Sequence, residues 1–350
     1  MKKYFNQKKV LITGNTGFKG SWLSIWMHHY GAKVLGVSNG IPTSPSNFSD
    51  LQLSNIISYK KTDIRNFKKI KKVIEKFQPD FIFHLAAQAI VKKSFEDPKT
   101  TWESNTLGTV NILESIKSLK KEIVVVIITS DKVYKNLELS RGYNETDKLG
   151  GLDPYSASKS SADLATQCYA NLIFNKRNIK IGIARAGNVI GGGDWAKNRV
   201  IPDCIRQWSV GRTVELRNPR STRPWQHVLD VLNGYITLAI KLKYKKNLYG
   251  ESFNFGPKVK SNMNVLKLVE QMKKTWKRGK WIIKKNNIIK ESKLLQLNSI
   301  KAKSKLKWQC KLDFNKAVSF TANWYENYFL QKKNMLNYSI WQIKQFNKIK

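Results

Sequence analysis

Three side chains in succession, Ser130, Asp131 and Lys132 in "TSDKVY", follow the apolar run "IVVVII". A hydroxyl, a carboxyl and an ammonium at one strand end could hold, give and take protons on a single substrate. Further along, Tyr155 and Lys159 in "PYSASK" lie four apart, so a helix stacks them on one face. A phenol is a poor base at neutral pH because its ordinary pKa is about 10. A cation beside it favours the phenolate and draws that value toward neutrality. Lys159 supplies such a cation and could also hold a ribose hydroxyl, while Ser130 could hydrogen-bond the oxygen that Tyr155 deprotonates. Tyr and Lys four apart recur by chance in a lysine-rich chain, where a core tyrosine beside a surface lysine is the plain alternative.

The N-terminal segment weakens that alternative. In "VLITGNTGFKGSWLSIW" a strand runs into a glycine turn and a helix start, with Gly14, Gly17 and Gly20 spaced G-x-x-G-x-x-G. Glycines let backbone approach a pyrophosphate, and free N–H groups with the helix dipole attract its charge. Directly after the first strand of an α/β pattern, the turn predicts a dinucleotide site. The second strand should end on an acid if the adenosine ribose is unphosphorylated. It ends on Ser38, Asn39 and Gly40 instead, which leaves both NAD and NADP open. Asp63 in "KTDIRN" follows the third strand and could accept from an adenine amino group, or cap the helix beginning at "RNFKKI".

These residues need a sheet to carry them. Apolar runs at 8–14, 32–38, 80–87, 123–130, 181–187 and 252–256 read as buried strands, continuous enough for a parallel sheet covered on both faces. Segments 20–31, 65–77, 100–120 and 154–174 read as the intervening helices, with Gly31 placed to end the first and Pro79 following the second. The alternation predicts an α/β, Rossmann-type doubly wound parallel sheet. After residue 187 the rhythm breaks into "GNVIGGGDW" and the polar "NPRSTRPWQH" (218–227), which is not expected to lie inside helix or strand. The expected division is a dinucleotide-binding domain of 1–187 plus about 226–257, an interleaved substrate lobe of 188–225 and 258–330, and a basic tail of 331–350. In that tail Leu336, Ile340, Ile343 and Phe346 recur at near-helical spacing, as in a helix docked on its own domain or a surface-seeking one.

Composition sets outer limits. With 63 basic and 24 acidic residues the net charge is +39, a field that attracts anions, including nucleic acid and anionic membranes. No nucleic-acid motif accompanies it, and "KKNNIIKESK" (284–293) reads as background Lys, Asn and Ile rather than a groove. Cys168, Cys204 and Cys310 lie far apart, and the histidines lack metal-ligand spacing, so no metal site or disulfide framework is expected and a reducing cytoplasm is. No apolar run spans a membrane, and "MKKYFNQKKV" has no apolar core of a signal peptide.

Taken together, the glycine turn, "HLAAQ", "SDK" and "YSASK" resemble the extended short-chain dehydrogenase/reductases. More narrowly, "GNTGFKGSWLSIW", "IPTSPSNF", "TSDKVYKN", "GYNETDKLGGLDPYSASK", "ARAGNVIGGGDWAKNRVIPDCI" and "LRNPRSTRPWQHVLD" resemble the CDP-glucose 4,6-dehydratase family over roughly residues 8–257. Related sugar dehydratases commonly place Asp and Glu after the strand-end hydroxyl, where this chain has Asp131 and Lys132. The resemblance implies bound NAD touching Gly14, Thr16, Gly17, Phe18, Gly20, Asp63, Ile64, Leu85, Ala86, Ala87, Tyr155 and Lys159. It implies Tyr155 as base at the sugar 4-hydroxyl, Asp131 as acid at C6, and a base for C5–H, with Lys132 either that base or a cationic clamp. A nucleotide-sugar diphosphate would then meet Gln88, Asn188, Arg199, Arg217 and Arg223, since an arginine fork suits phosphate oxygens. Trp225 and His227 are expected to pack rather than bind. A homodimer pairing the helices near 100–120 and 154–174 is implied too, with a tetramer open. Competing readings keep the fold for a dTDP- or GDP-sugar dehydratase or a 4-epimerase, or make the charge a nucleic-acid- or membrane-binding surface.

Overall fold

The computed structural model describes residues 1–174, 177–257, 262–277, 279–283 and 295–349, so the stretch 284–293 lies outside it. Seven strands form the central sheet: β1 (Lys9–Thr13), β2 (Lys33–Ser38), β3 (Ser58–Lys61), β4 (Phe81–His84), β5 (Ile123–Ile128), β6 (Ile179–Ala186) and β7 (Ser252–Phe255). Their order is β7-β6-β5-β4-β1-β2-β3, and every neighbouring pair is parallel. The direction of strand addition reverses between β1 and β4, which opens a crevice at their carboxyl ends. The inner strands follow the apolar runs, and β5 is buried at all six positions. At the edge, β3 is mostly exposed and ends in Lys60 and Lys61, charges that discourage pairing with another strand.

Alternate strand residues feed two cores. Val10, Ile12, Phe83 and Val126 face α1 (Phe18–His29), while Leu11, Ile82, Val125 and Ile127 face α2 (Phe67–Phe77) and α3 (Gly108–Ile116). Gly31 ends α1 with φ +79°, as its placement predicts. The cap of α2 differs from expectation: Asn66 accepts from Lys69 N at 3.0 Å, and Asp63 turns to Arg65 instead. Asp63 lies three residues before Asn66, the position that caps the first turn. The predicted 100–120 helix is assembled from Pro98–Trp102, a wide turn at Glu103–Leu107 and α3. Asp153 caps α4 (Pro154–Cys168), with Pro154 in its first turn, and a second wide turn at Tyr169–Ile173 extends it.

The segment 218–227 corrects the sequence reading. Thr222–Pro224 pairs antiparallel with Asn262–Asn264, and Gln226–His227 pairs with Val189–Ile190. Pro224 is tolerated because it ends a two-stranded edge, where a missing N–H breaks no ladder. Helix α5 (Val228–Tyr244) follows, and α6 (Phe314–Phe329) leads to α7 (Met335–Lys348). Ile343 and Phe346 of α7 are fully buried, and the Phe346 ring meets Trp26 of α1 at 5.7 Å. The amphipathic C-terminal stretch is thus a helix docked on its own domain. No described helix is long and apolar enough to cross a membrane.

Behind the sheet's carboxyl edge lies a buried ion pair. Asp163 of α4 accepts from Arg185 Nε and Nη2 of β6 at 2.8 Å each, and the two side chains are 0% and 1% exposed. Thr129, next after β5, donates to Asp163 at 3.1 Å, and Ser252 of β7 does so at 3.4 Å. Arg185 Nη1 reaches the Tyr134 hydroxyl at 2.8 Å, which donates to Asn254 of β7 at 2.8 Å. Removing one partner strands the other charge without water. Asp163→Ala is expected to cost about 3–5 kcal/mol of stability, read as a lowered midpoint in urea unfolding.

Candidate active site

The glycine turn is tight by construction. A Cβ on Gly14, whose φ is +74°, would lie 2.8 Å from Ala86 N, and one on Gly20 would lie 2.0 Å from the Gly14 carbonyl oxygen. No side chain caps the first turn of α1, so its N–H groups face the crevice that a phosphate would fill. Ser38, at the end of β2, points inward: it donates to Asn15 Oδ1 at 2.9 Å and accepts from Thr16 N at 3.3 Å. Thr16 in turn donates to the Gly40 carbonyl at 2.6 Å. The hydroxyl where an acid was sought is therefore committed to the turn itself. Asp63 stands beside Asn39, with its carboxyl held below its ordinary range by the Arg65 guanidinium. Ile64 packs under Gly108. Leu85, Ala86 and Ala87 are half-buried along the carboxyl end of β4, and Ala86 N donates to Thr13 Oγ1 at 3.2 Å. These residues fit a dinucleotide, because the turn has room for backbone contact and none for added side chains.

Ser130, Asp131 and Lys132 form the first turn after β5. Ser130 Oγ donates to Asp131 Oδ1 at 2.9 Å and accepts from Lys132 N at 3.2 Å. Ser130 also hydrogen-bonds the Tyr155 phenol, so α4 and the β5 end meet as the sequence expects. Lys159, one helical turn on, donates from Nζ to the Ile128 carbonyl at 3.1 Å. The protein's own groups do not bring Tyr155 toward neutrality: burial pushes the phenol up, and Ser130 and Arg199 only offset this. Lys159 itself is lowered to about 7, first by burial and then by Lys19. Asp131 is pushed up by burial, against the pull of Lys132, Ser130 and Lys19. A carboxyl so placed is a proton donor in waiting.

The loop after β6 closes the other side. A Cβ on Gly187 would lie 2.7 Å from Asp131 Oδ2, so this glycine makes room for the acid. Asn188 follows, half-buried, with its carbonyl accepting from Gln226 N at 3.3 Å. Arg199 is bound by Asp194 at 2.8 Å and bears electrostatically on Tyr155, which places it at the site. Arg217 is exposed and touches Asn198 at 3.4 Å, on the same loop system. Arg223 is half-buried, with Nη1 donating to the Thr222 carbonyl at 2.8 Å. Gln88 is spent locally: its amide donates to Ile90 O and Thr101 Oγ1 at 3.0 Å each and accepts from Ile90 N at 2.6 Å. Trp225 and His227 are buried, and His227 stacks edge-on against Phe320 at 5.7 Å, so both pack.

Lys19 and Asp194 were missed. Both share the space between the glycine turn and this loop, with Asp131 and Arg199. The signal was a lysine inside "GFKG", a cation within a turn built to receive an anion.

Comparison with known proteins agrees with this geometry. Residues 11–321 match the family model described as GDP-mannose 4,6 dehydratase. The chain is 40% identical over 331 residues to the CDP-glucose 4,6-dehydratase of Salmonella typhimurium, covering 93% of this chain and 92% of that one. Among solved structures, an epimerase from Methanothermobacter thermautotrophicus superposes with a TM-score of 0.80 at 23% identity, covering 95% of this chain and 96% of that one. The dTDP-glucose 4,6-dehydratase of Bacillus anthracis, solved with NAD, gives 0.75 at 22% identity over 95% and 99%.

The crowding at Gly20 yields a direct expectation. Gly20→Ala should weaken dinucleotide binding by about tenfold or more, some 1.4 kcal/mol, read by calorimetric titration with NAD.

Proposed function

The chain belongs to the GDP-mannose 4,6-dehydratase family, and from that premise we propose that it acts as a CDP-glucose 4,6-dehydratase. The observation that carries the reading is a buried, upward-shifted Asp131 beside the Ser130–Tyr155 pair. An epimerase or simple reductase uses the pair but has no task for an acid at C6. The likeness to the Salmonella CDP-glucose 4,6-dehydratase supports CDP as the carrier.

NAD would be held by Gly14, Thr16, Gly17, Phe18 and Gly20, by Asp63 and Ile64, by Leu85, Ala86 and Ala87, and by Tyr155 and Lys159. Bound there, it supplies the hydride acceptor for C4 and the hydride donor for C6 within one cycle. Tyr155 takes the proton of the sugar 4-hydroxyl while Ser130 hydrogen-bonds the same oxygen. The C4 ketone acidifies C5–H, and Lys132 acts at that step, as an amine that takes the proton or as a cation that stabilises the enolate. Asp131 gives its proton to the C6 hydroxyl, which leaves as water with formation of the C5=C6 double bond; hydride added at C6 and a proton returned to C5 then complete CDP-4-keto-6-deoxy-D-glucose. Arg223, Arg199 and Arg217 carry the diphosphate, with Asn188 on phosphate or sugar.

The substrate lobe comprises 188–225 and 258–330, resting on the dinucleotide domain of 1–187 and about 226–257. Trp102, Leu107 and Leu164 are 39%, 55% and 53% exposed on neighbouring helices, an apolar face that a second copy of the chain would cover. The setting is cytoplasmic, in keeping with three unpaired cysteines.

Two experiments test the reading. Offered CDP-, dTDP-, GDP- and UDP-hexoses with NAD, the protein should turn over CDP-glucose to the 4-keto-6-deoxy product, followed by NMR; turnover of dTDP-glucose alone would overturn the carrier. In heavy water, Lys132→Met should lose C5 deuterium exchange if the amine is the base, whereas unimpaired exchange removes Lys132 from that role.

A further inference from the structure

His84 is the last residue of β4 and pairs in register with Thr13, the last residue of β1. Both lie two residues on from Ile82 and Leu11, on the face of the sheet that α3 covers. There the imidazole is buried between two hydroxyls. Its Nδ1 lies 2.7 Å from Thr13 Oγ1, and its Nε2 lies 3.2 Å from Thr109 Oγ1 in the first turn of α3. The outer bonds fix which atoms carry protons. Thr109 Oγ1 donates to the Asn105 carbonyl at 2.7 Å, so its hydrogen is spent and it accepts from Nε2–H. On the other side Thr13 Oγ1 accepts from Ala86 N at 3.2 Å and keeps its own hydrogen for Nδ1. The bonds therefore run one way, from Ala86 N–H through Thr13 to Nδ1, and from Nε2–H through Thr109 to Asn105. A second proton on the ring would make Nδ1 a donor and take from the Thr13 hydrogen its acceptor. Burial, and after it the charge of Lys159, lower the imidazole to about 3, in agreement with a ring that stays neutral.

We propose that His84 is a positioning residue for the dinucleotide: as the neutral imidazole with its proton on Nε2, it orients Thr13 and through it fixes how Ala86 stands against the glycine turn. The inference rests on the dinucleotide site described above. Thr13 leads directly into Gly14, and a Cβ on Gly14 would come within 2.8 Å of Ala86 N. A dinucleotide has to fit across these two segments, where the direction of strand addition reverses. Leu85 N donates to the Thr13 carbonyl at 3.1 Å, which ties the two strands through their backbones. One residue further on, the strands part and the Thr13 hydroxyl takes over. An acceptor at Nδ1 draws its hydrogen away and presents a lone pair to Ala86 N. Thr109, on the far side of the ring, anchors the imidazole to α3, so strand ends and helix keep one spacing.

Two amide replacements separate this role from packing. In His84→Asn the side-chain oxygen can take the place of Nδ1. In His84→Gln the amide reaches the place of Nε2 and leaves Thr13 without an acceptor. By calorimetric titration, His84→Gln should bind NAD about tenfold more weakly than His84→Asn. Thr13→Val, which keeps the branched shape and removes the hydroxyl, should match His84→Gln, and combining the two should weaken binding no further. Urea unfolding of each variant reports packing separately, and Thr13→Val carries the test if a His84 variant does not fold. In nitrogen NMR of wild-type protein with labelled histidine, the His84 signals are those lost in His84→Asn. They should show a protonated Nε2 and a bare Nδ1 between about pH 5 and 8, where an exposed imidazole titrates. A ring protonated on Nδ1, or a charged ring, would overturn the proposal. So would Asn and Gln variants that bind NAD equally, or a Thr13→Val that binds it like wild type. Wild-type protein that bound no NAD would instead bring down the dinucleotide site on which the inference rests.

Discussion

Asp163 lies one helical turn beyond Lys159 and two beyond Tyr155 on the same face of α4, and no water reaches it. Its two oxygens are shared among Arg185, Thr129, Gln167 and Ser252, which belong to β6, the end of β5, α4 itself and β7. Taking a carboxylate and a guanidinium out of water costs several kcal/mol per ion, and a buried pair is weak as a source of net stability. What it provides is direction. Thr129 is followed at once by Ser130, so the hydrogen bond from Thr129 fixes where the β5 end turns. Lys159, on the same helix, is aimed by the Ile128 carbonyl two residues earlier. Phenol, hydroxyl and ammonium thus converge because one helix and one strand end are locked to each other from behind.

In front of that lock, burial and charge oppose one another. Low polarity pushes Tyr155 and Asp131 toward their neutral forms and Lys159 toward its own. The cations Lys19, Lys132 and Arg199 partly undo this for the two acids, and the site holds more positive than negative side chains. Such an arrangement is poised for an anionic guest, whose phosphates would settle the cations that the protein leaves crowded. The surplus of lysine over the rest of the chain adds a diffuse field, but the arginines and Lys19 at the crevice focus it.

Much of this was legible in the sequence, for identifiable reasons. Strands buried on both faces must be apolar throughout, so "IVVVII" and its fellows declare themselves, and Gly31 marks a helix end by its chemistry. Tyr155 and Lys159 were legible because helical spacing alone brings them together. Contacts made across the fold were not: Asp163 looked like any helix residue until Arg185 arrived from β6. Pro224 hid a short strand because its position at an edge is a tertiary fact. Of the two roles open to Asp63, the helix cap belongs to Asn66, three residues on. Gln88 was expected to face substrate, yet its amide is satisfied by its own loop.

The seating of α7 against α1 bears on how the molecule comes into being. Trp26, on the helix that begins at the glycine turn, is completed by Phe346, near the far end of the described chain. During synthesis the turn and its helix emerge before α7, so the Trp26 side of that helix lacks the Phe346 ring until α7 has been made. Contacts of such long sequence separation close slowly, because the intervening chain must lose its freedom first. The helix that carries the cofactor cradle thus gains its Phe346 contact only from a segment more than three hundred residues away.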